Sequence, residues 1–321
     1  SLVGSEMCIR DRQYSHLVLF LSLCTLTACN DSKNEDSIDP DPLPPSITYH
    51  VEGYAELGAF DHNSTLTVFP LDKSLAHIEE QAYGGKVETD YGLFSASGNM
   101  KFQESLYFEV QVTGNFFNGT KGRRSEHKTT LRAINHVINH ADEERSINRY
   151  IKLPATNVNI FTQLTAARIC TLLKKAAGYN EMSHTITDIY RNASEQALKE
   201  VLTAFSISDI YVSMLSIDPT RASFSQYNAP ASMMAAVSNI LLTSVDEELL
   251  DTFFTEWDKD FAPDGRIDNE DIKESIRDGQ QSLKYTNVYK QLDSFYKAYD
   301  FKSDFLSLIH ISEPTRLALI S

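Results

Sequence analysis

The sequence predicts two domains in series, an all-β sandwich followed by an all-α helical domain. Three observations carry this. From Ile47 to about Leu131, short runs alternate apolar and polar residues, with Gly, Asn and Asp between them; this is the pattern of half-buried strands. After about Pro154 the apolar residues recur at three and four positions, the period of amphipathic helices. The 321 residues suffice for one large or two ordinary domains.

The strand signals come first. "ITYHVEGYAELG" alternates and carries Gly53 and Gly58. "STLTVFPLD" is β-branched and alternating from Ser64 to Val68. In "SLYFEVQVTG", Leu106, Phe108, Val110 and Val112 oppose Glu109 and Gln111. Short strands at this spacing argue for a sandwich over 47–132. An inter-domain segment, 133–154, has mixed patterning that fits a loop, a strand insertion or a short helix.

The helical domain spans 155–303. Its first helix places Ile160, Leu164, Ala167, Cys170, Leu173 and Ala177 near one face. Lys174 and Lys175 sit at the negative end of its dipole, and Gly178 stops it. A second helix carries Ile186, Ile189, Ala193, Ala197, Val201 and Phe205. A third starts near Pro230 and presents Met233, Met234, Val237, Ile240 and Leu241. A fourth opens on Ser244 and Glu247, spaced as a capping box, before Leu249, Leu250, Phe253, Phe254 and Trp257. Two more run over Ile272–Leu283 and Val288–Tyr299. The aromatic and Met positions read as core.

The chain ends read differently. "LSLIHISEPTR" near the C-terminus and "LVGSEMCIRD" near the N-terminus translate one DNA string and its reverse complement. That string resembles a sequencing-library adapter, so 1–12 and 304–321 are set aside from fold reasoning. Residues 13–28 then read as a signal peptide: the apolar run from His16 to Ala28 is too short for a bilayer span, which needs about 20 residues. It ends in "LTAC", which resembles the lipobox of bacterial lipoproteins. The resemblance implies that Cys29 becomes the first mature residue and carries acyl chains; several chains together anchor stably. Residues 29–46 form an acidic, Pro-rich tether expected to be disordered or extended. Its Asp31, Glu35 and Asp36 resemble the surface-export tethers of Bacteroidetes-type lipoproteins.

Two further resemblances follow from motifs. Thr89, Asp90, Gly92 and Phe94 make a T-D-x-G-x-F turn, followed by "YFEVQVTGNFF". Together they resemble the carboxypeptidase-regulatory or transthyretin-like sandwich, which is implied to be an accessory module without catalytic residues. The whole chain is similar to Bacteroidetes-type surface lipoproteins that pair such a sandwich with a helical region opening on a motif matched here by "NVNIFTQL", with Gln163 where that pattern has His.

Composition bounds the partners. The net charge is −15, and an acidic chain repels nucleic acid and anionic lipid surfaces. The bilayer contact expected is the acyl chains of Cys29, with the outer membrane as location. Beyond Cys29, Cys170 is the remaining candidate outside the ends and the apolar run, so neither a disulfide framework nor a cysteine metal site is expected.

Three runs could carry chemistry. "DFAPDGRIDNED" reads as a calcium loop, with Asp260, Asp264, Asp268 and Asp271 as ligands around Gly265. Ala262, Pro263 and the terminal Asp271 each weaken it, and the alternative is a solvated turn at Asp264-Gly265. His136 and His140 are spaced as zinc ligands on a helix, or lie in a polar linker. "GTKGRR", Gly119 to Arg124, is a basic loop that either meets an anionic glycan or is merely solvated. No cofactor is expected apart from calcium. The expected function is a lipid-anchored, non-catalytic envelope protein that binds a glycan or another envelope protein. The alternative is an enzyme processing envelope polysaccharide or peptide, with its site in the helical domain.

Overall fold

Alternation in the β half does produce strands, but they assemble differently from the expectation. The computed structural model describes residues 48–99, 106–137, 150–181, 185–207, 217–226 and 228–300, all within one compact unit that starts at Pro45. The expected signal peptide and tether, with Cys29, lie outside the described residues, as does His140. Among the described residues no helix is long and apolar enough to cross a membrane.

The strands are β1 (Thr48–Glu56), β2 (Thr65–Leu71), β3 (Tyr83–Val87), β4 (Leu93–Asn99), β5 (Tyr107–Gly114), β6 (Phe117–Asn118), β7 (Arg123–Arg124), β8 (Thr129–His136), β9 (Tyr150–Lys152) and β10 (Val158–Asn159). The helices are α1 (Ile160–Lys175), α2 (Ile186–Ala204), α3 (Ala229–Ser244), α4 (Leu250–Phe261), α5 (Glu270–Ser282) and α6 (Tyr285–Lys297).

The two-sheet sandwich does not form. The strands instead make one curled mixed sheet in the order β10-β1-β4-β3-β2-β5-β8, with β9 also beside β1 and β6–β7 as a separate ribbon. The physical reason is that alternation shows only that one face of a strand is buried, not what buries it. Here helices do so. Val51, Leu66, Phe94, Val110 and Leu131 from the sheet share one core with Phe161, Leu164, Trp257, Tyr289 and Leu292 from the helices. Sheet and helices thus share a core across the expected domain boundary. The segment after residue 149 returns to the sheet and runs parallel to β1, pairing Tyr49 with Ile151 and Ala55 with Val158. Parallel pairing requires a long crossover, which local patterning cannot announce.

The T-D-x-G-x-F turn joins β3 to β4. Gly92 takes φ +89 and donates its N–H to Thr89 O at 3.1 Å, and Phe94 is fully buried. The edge strand β8 is closed by side chains. Its Thr130 N–H donates to Asp251 Oδ1 at 3.0 Å, and Arg132 N–H to Gln163 Oε1 at 2.9 Å. An edge whose donors are met this way offers little to a foreign strand.

Helix α1 is the pivot of the helical layer. Asn159 caps it through a capping box with Thr162, and Lys174 and Lys175 complement its C-terminal dipole. Trp257 of α4 donates Nε1–H to Leu164 O at 2.9 Å. Arg168 holds α2 by a two-pronged pair with Glu200 at 2.7 and 2.9 Å. The Ser244–Glu247 capping box does not form. Ser244 is still in the last turn of α3 and bonds Ile240 O at 3.2 Å. The Glu247 carboxylate instead accepts from Asn118, Lys121 and the Glu126 N–H.

Asn159 offers a test. Its fully buried amide accepts Thr162 N–H at 3.0 Å and donates to Pro219 O and Ala222 O, both at 2.9 Å. Asn159→Ala should cost about 2–4 kcal/mol in urea unfolding, since it removes a cap and the donor to the buried Pro219 O, and leaves Ala222 O with Asn157 alone. Asn159→Asp keeps the cap but turns an oxygen toward those carbonyls. It should be no milder, and an Asp variant as stable as wild type would refute this role.

Candidate functional site

A surface cleft lies where β1, β4, the β9–β10 turn and the loop 217–226 meet. It is a cleft of about 650 Å³ lined by Glu52, Tyr54, Glu88, Asn157, Arg221 and Gln226, among others. A second cleft of about 430 Å³ shares Ala155, Thr220 and Arg221 with it and continues past Asn135, His136, Thr187 and Arg191.

Gly53 permits the approach that forms the first cleft. A Cβ there would lie 2.2 Å from Thr156 O, so only glycine lets this stretch sit against β1. Asn157 then bridges three segments. Its Oδ1 accepts Tyr54 N–H at 2.9 Å, its Nδ2 donates to Ala222 O at 3.1 Å, and its own N–H donates to Thr220 O at 2.7 Å. Within the loop, Asp218 Oδ1 accepts from Thr220 N–H and hydroxyl at 3.0 and 2.7 Å. The loop wall is thus held from both sides.

Beneath it lies Glu56, fully buried. Phe224 N–H donates to Oε2 at 3.0 Å and the Tyr296 hydroxyl to Oε1 at 3.2 Å. Burial raises its carboxyl to about 7, partly opposed by Phe224 N–H, the Ser223 hydroxyl and Tyr296. The Tyr54 phenol is also raised, first by burial and then by Glu56, while Ser225 bonds it. Glu52 is held lower than usual by its hydrogen bond from Lys152 at 2.6 Å. Glu88 bonds the Ser95 hydroxyl.

The cleft therefore brings the Tyr54 ring beside the Glu52 and Glu88 carboxylates and the Arg221 guanidinium, while the Asn157 and Gln226 amides are bonded within the wall. Tyr54 faces Tyr91, ring centroids 6.5 Å apart. Stacking plus planar hydrogen bonding suits a ligand with apolar faces and hydroxyl edges.

Of the residues singled out from the sequence, His136 lines the second cleft, and the calcium-loop aspartates, Cys170 and the basic run line neither. Asp260 accepts Asp268 N–H at 2.8 Å and Asn269 N–H at 3.1 Å, so it closes its own loop. Asp264 accepts Arg266 N–H at 3.0 Å around Gly265, which takes φ +79. Asp271 is in the first turn of α5. The carbonyls of Ala262 and Pro263 accept from Arg168, a cation already in place. Among the described residues no three His, Cys, Asp or Glu side chains are grouped to hold a metal ion.

His136 ends strand β8 and is not on a helix. Its ring contacts Asn135 Oδ1 at 3.0 Å and Thr187 Oγ1 at 3.1 Å, and burial lowers it to about 4. Cys170 packs at the edge of the core around Ile169 and Tyr190, and burial pushes its thiol to about 11. The basic run Gly119–Arg124 is not a free loop. Lys121 pairs with Glu247 at 3.0 Å. Arg124 pairs with Asp61 at 2.5 Å, and its guanidinium lies 5.1 Å from the Phe295 ring centroid. Tyr54 and Arg221 carried no local signal; only the pairing of distant segments brings them together.

Comparison with family models, curated proteins and solved structures returned no match.

Glu56 gives a pH test. Its folded-state carboxyl is raised, so between about pH 4.5 and 7 the folded state holds more protons than the unfolded one. Stability from this group is therefore present at low pH and lost as pH rises through that window. Asp258, raised to about 6 by burial, acts in the same direction, and His136 in the opposite one. The measurement is therefore the difference between wild type and Glu56→Gln. The variant should gain roughly 1–3 kcal/mol relative to wild type between pH 5 and 8. A pH-independent difference in chemical unfolding would refute the assignment.

Proposed function

We propose that the chain is a lipid-anchored cell-envelope protein that holds a glycan in the cleft beside Tyr54. The observation that supports the binding half is the cleft itself: a tyrosine ring set among planar hydrogen-bonding side chains in about 650 Å³. Sugars present apolar ring faces and hydroxyl edges, and this combination matches both. The anchoring half is supported by the "LTAC" run, Cys29 and the acidic tether that follows. In this reading the tether holds the cleft away from the outer membrane.

Two carboxylates, Glu52 and Glu88, line the same cleft, which bears on the alternative of a polysaccharide-processing enzyme. A glycosidase acid must hold its proton near neutral pH, which needs a raised carboxyl. The Lys152 hydrogen bond moves Glu52 the opposite way. That favours retention of a glycan over its cleavage.

The soluble protein from Ile47 onward should bind an envelope polysaccharide fraction in affinity electrophoresis. Tyr54→Ala should weaken that retention roughly tenfold, the scale of one aromatic contact, without changing the thermal midpoint by more than a few degrees. Equal retention by the variant would remove the cleft from consideration. Release of shortened sugars by wild type would favour the enzyme instead. Separately, Cys29→Ala should abolish fatty-acid labelling and move the protein from the membrane to the soluble fraction. Unchanged labelling would end the anchor reading.

A further inference from the structure

In the second cleft a threonine, a histidine and an asparagine stand in a chain whose hydrogen-bond directions are all fixed. The chain starts at Thr156. Its hydroxyl donates to Pro154 O at 2.8 Å, so its oxygen is left to accept Asn135 Nδ2–H at 2.9 Å. That turns Asn135 Oδ1 toward His136. The same oxygen accepts the His136 backbone N–H at 2.8 Å, which fixes the amide orientation a second time. His136 Nδ1 lies 3.0 Å from this acceptor and so carries the ring proton. Nε2 is then the bare nitrogen, and the Thr187 hydroxyl donates to it at 3.1 Å.

The ring is held firmly. His136 is buried and stacked on Tyr190, ring centroids 4.8 Å apart. Burial keeps it neutral at pH 7, opposed only in part by Asp218. Thr187 is only partly buried. It sits in the first turn of α2 and lines the cleft of about 430 Å³ with Asn135 and His136. A hydroxyl that served only to satisfy the ring would not need to open onto a cleft. Thr185 gives α2 no side-chain cap, so the positive end of the helix lies uncapped beside Thr187. Negative charge developing at a substrate carbonyl is favoured there.

A nucleophile, a base and an orienting group in hydrogen-bond succession are the arrangement of acyl transfer. We propose that the second cleft hydrolyses a short, neutral carboxylic ester, with Thr187 as nucleophile, His136 as general base and Asn135 as the positioning residue that sets the imidazole tautomer. Thr187 Oγ1 attacks the ester carbonyl carbon and gives its proton to Nε2. The bond to the alcohol oxygen breaks, and that oxygen takes the proton. Water then attacks the acyl-threonine and gives a proton to Nε2. The acid leaves as the proton returns to Thr187 Oγ1. An alcohol departs more readily than an amine, which suits a weakly basic imidazole. Glu195 and Asp218 in the wall disfavour an anionic acyl group. Thr187, His136 and Asn135 do not line the Tyr54 cleft, so this activity stands apart from the glycan reading.

The test is steady-state hydrolysis of p-nitrophenyl acetate by the full chain. Wild type should turn over with saturation. Thr187→Val keeps the shape and removes the hydroxyl; it should lower kcat by roughly a hundredfold or more and leave the thermal midpoint in place. Thr187→Ser should restore turnover. Acid quench and peptide mass mapping should find one acetyl group on Thr187. Asn135→Asp puts a carboxylate beside Nδ1–H and favours the imidazolium, so the acid limb of kcat/KM should move to higher pH. The other charged groups around the ring are Asp218 and Arg221 of the loop and Asp188, Arg191 and Glu195 of α2. The Tyr107 and Tyr190 phenols beside it are raised by burial and stay neutral. Thr187 is partly exposed, so its variants decide the matter even if the buried Asn135→Asp does not fold. Absence of saturable turnover, turnover untouched by Thr187→Val, or acetyl on another residue would overturn the proposal. An acid limb that stays in place in Asn135→Asp would overturn the role of Asn135.

Discussion

Two buried asparagine amides hold this molecule together at the point where a strand becomes a helix. Asn157 and Asn159 flank Val158 in β10, the parallel strand that closes the sheet beside β1. Peptide groups that leave a sheet, enter a helix and face a loop within three residues all need partners away from water. The two amides supply them. Asn157 takes the Tyr54 N–H, Asn159 takes the Thr162 N–H, and both donate to Ala222 O. Remove either and a β edge, a helix start and the wall of the groove lose their common joint. The "NVN" run is thus a structural clamp, and the groove exists because it is closed.

The interface between sheet and helices is unusually polar for a core. Besides Glu56, Glu109 is buried on β5. Burial would raise it, but His77, Arg132 and Gln111 together keep it below its usual range. Arg132 in turn bonds Asp258 of α4 at 2.6 Å. Removing one member of such a group costs more than the group contributes as a whole, because the survivors stay buried without partners. Glu56 is different, since hydroxyl and amide donors surround it and its carboxyl is raised. Its position under Phe224 ties the groove wall to β1 and α6 through one group that titrates.

Local structure was largely legible in the residues. The six described helices run near the stretches marked by hydrophobic period, with side-chain caps at Asn159, Asn228 and Asn269 but none at the starts of α2, α4 and α6. The Thr89–Phe94 turn was legible because Gly92 must adopt a positive φ. The failures share one cause. Ser244 and Glu247 have capping-box spacing, yet Glu247 is drawn away by Asn118, Lys121 and the Glu126 N–H, more than a hundred residues earlier in the chain. Gly119–Arg124 looked like a solvated basic loop, yet Lys121 pairs with Glu247, more than a hundred residues further along the chain, and Arg124 pairs with Asp61 and lies near Asp90, both well before it. Asp260 and Asp264 have the side chains for a cation but spend them on neighbouring backbone N–H groups.

The sequence by itself determined most of the strands, helices and turns, though not the strand ends within 133–154, because period and glycine conformations act over a few neighbouring residues. It also determined the acidic balance and the Cys29 run from which the anchor proposal starts. Only the tertiary structure decided that the strands form one curled sheet, that residues 150–159 return to it, and that Tyr54, Asn157 and Arg221 share a groove. Those outcomes depend on which distant surfaces bury one another, and an alternating strand records that it has a buried face without recording what covers it.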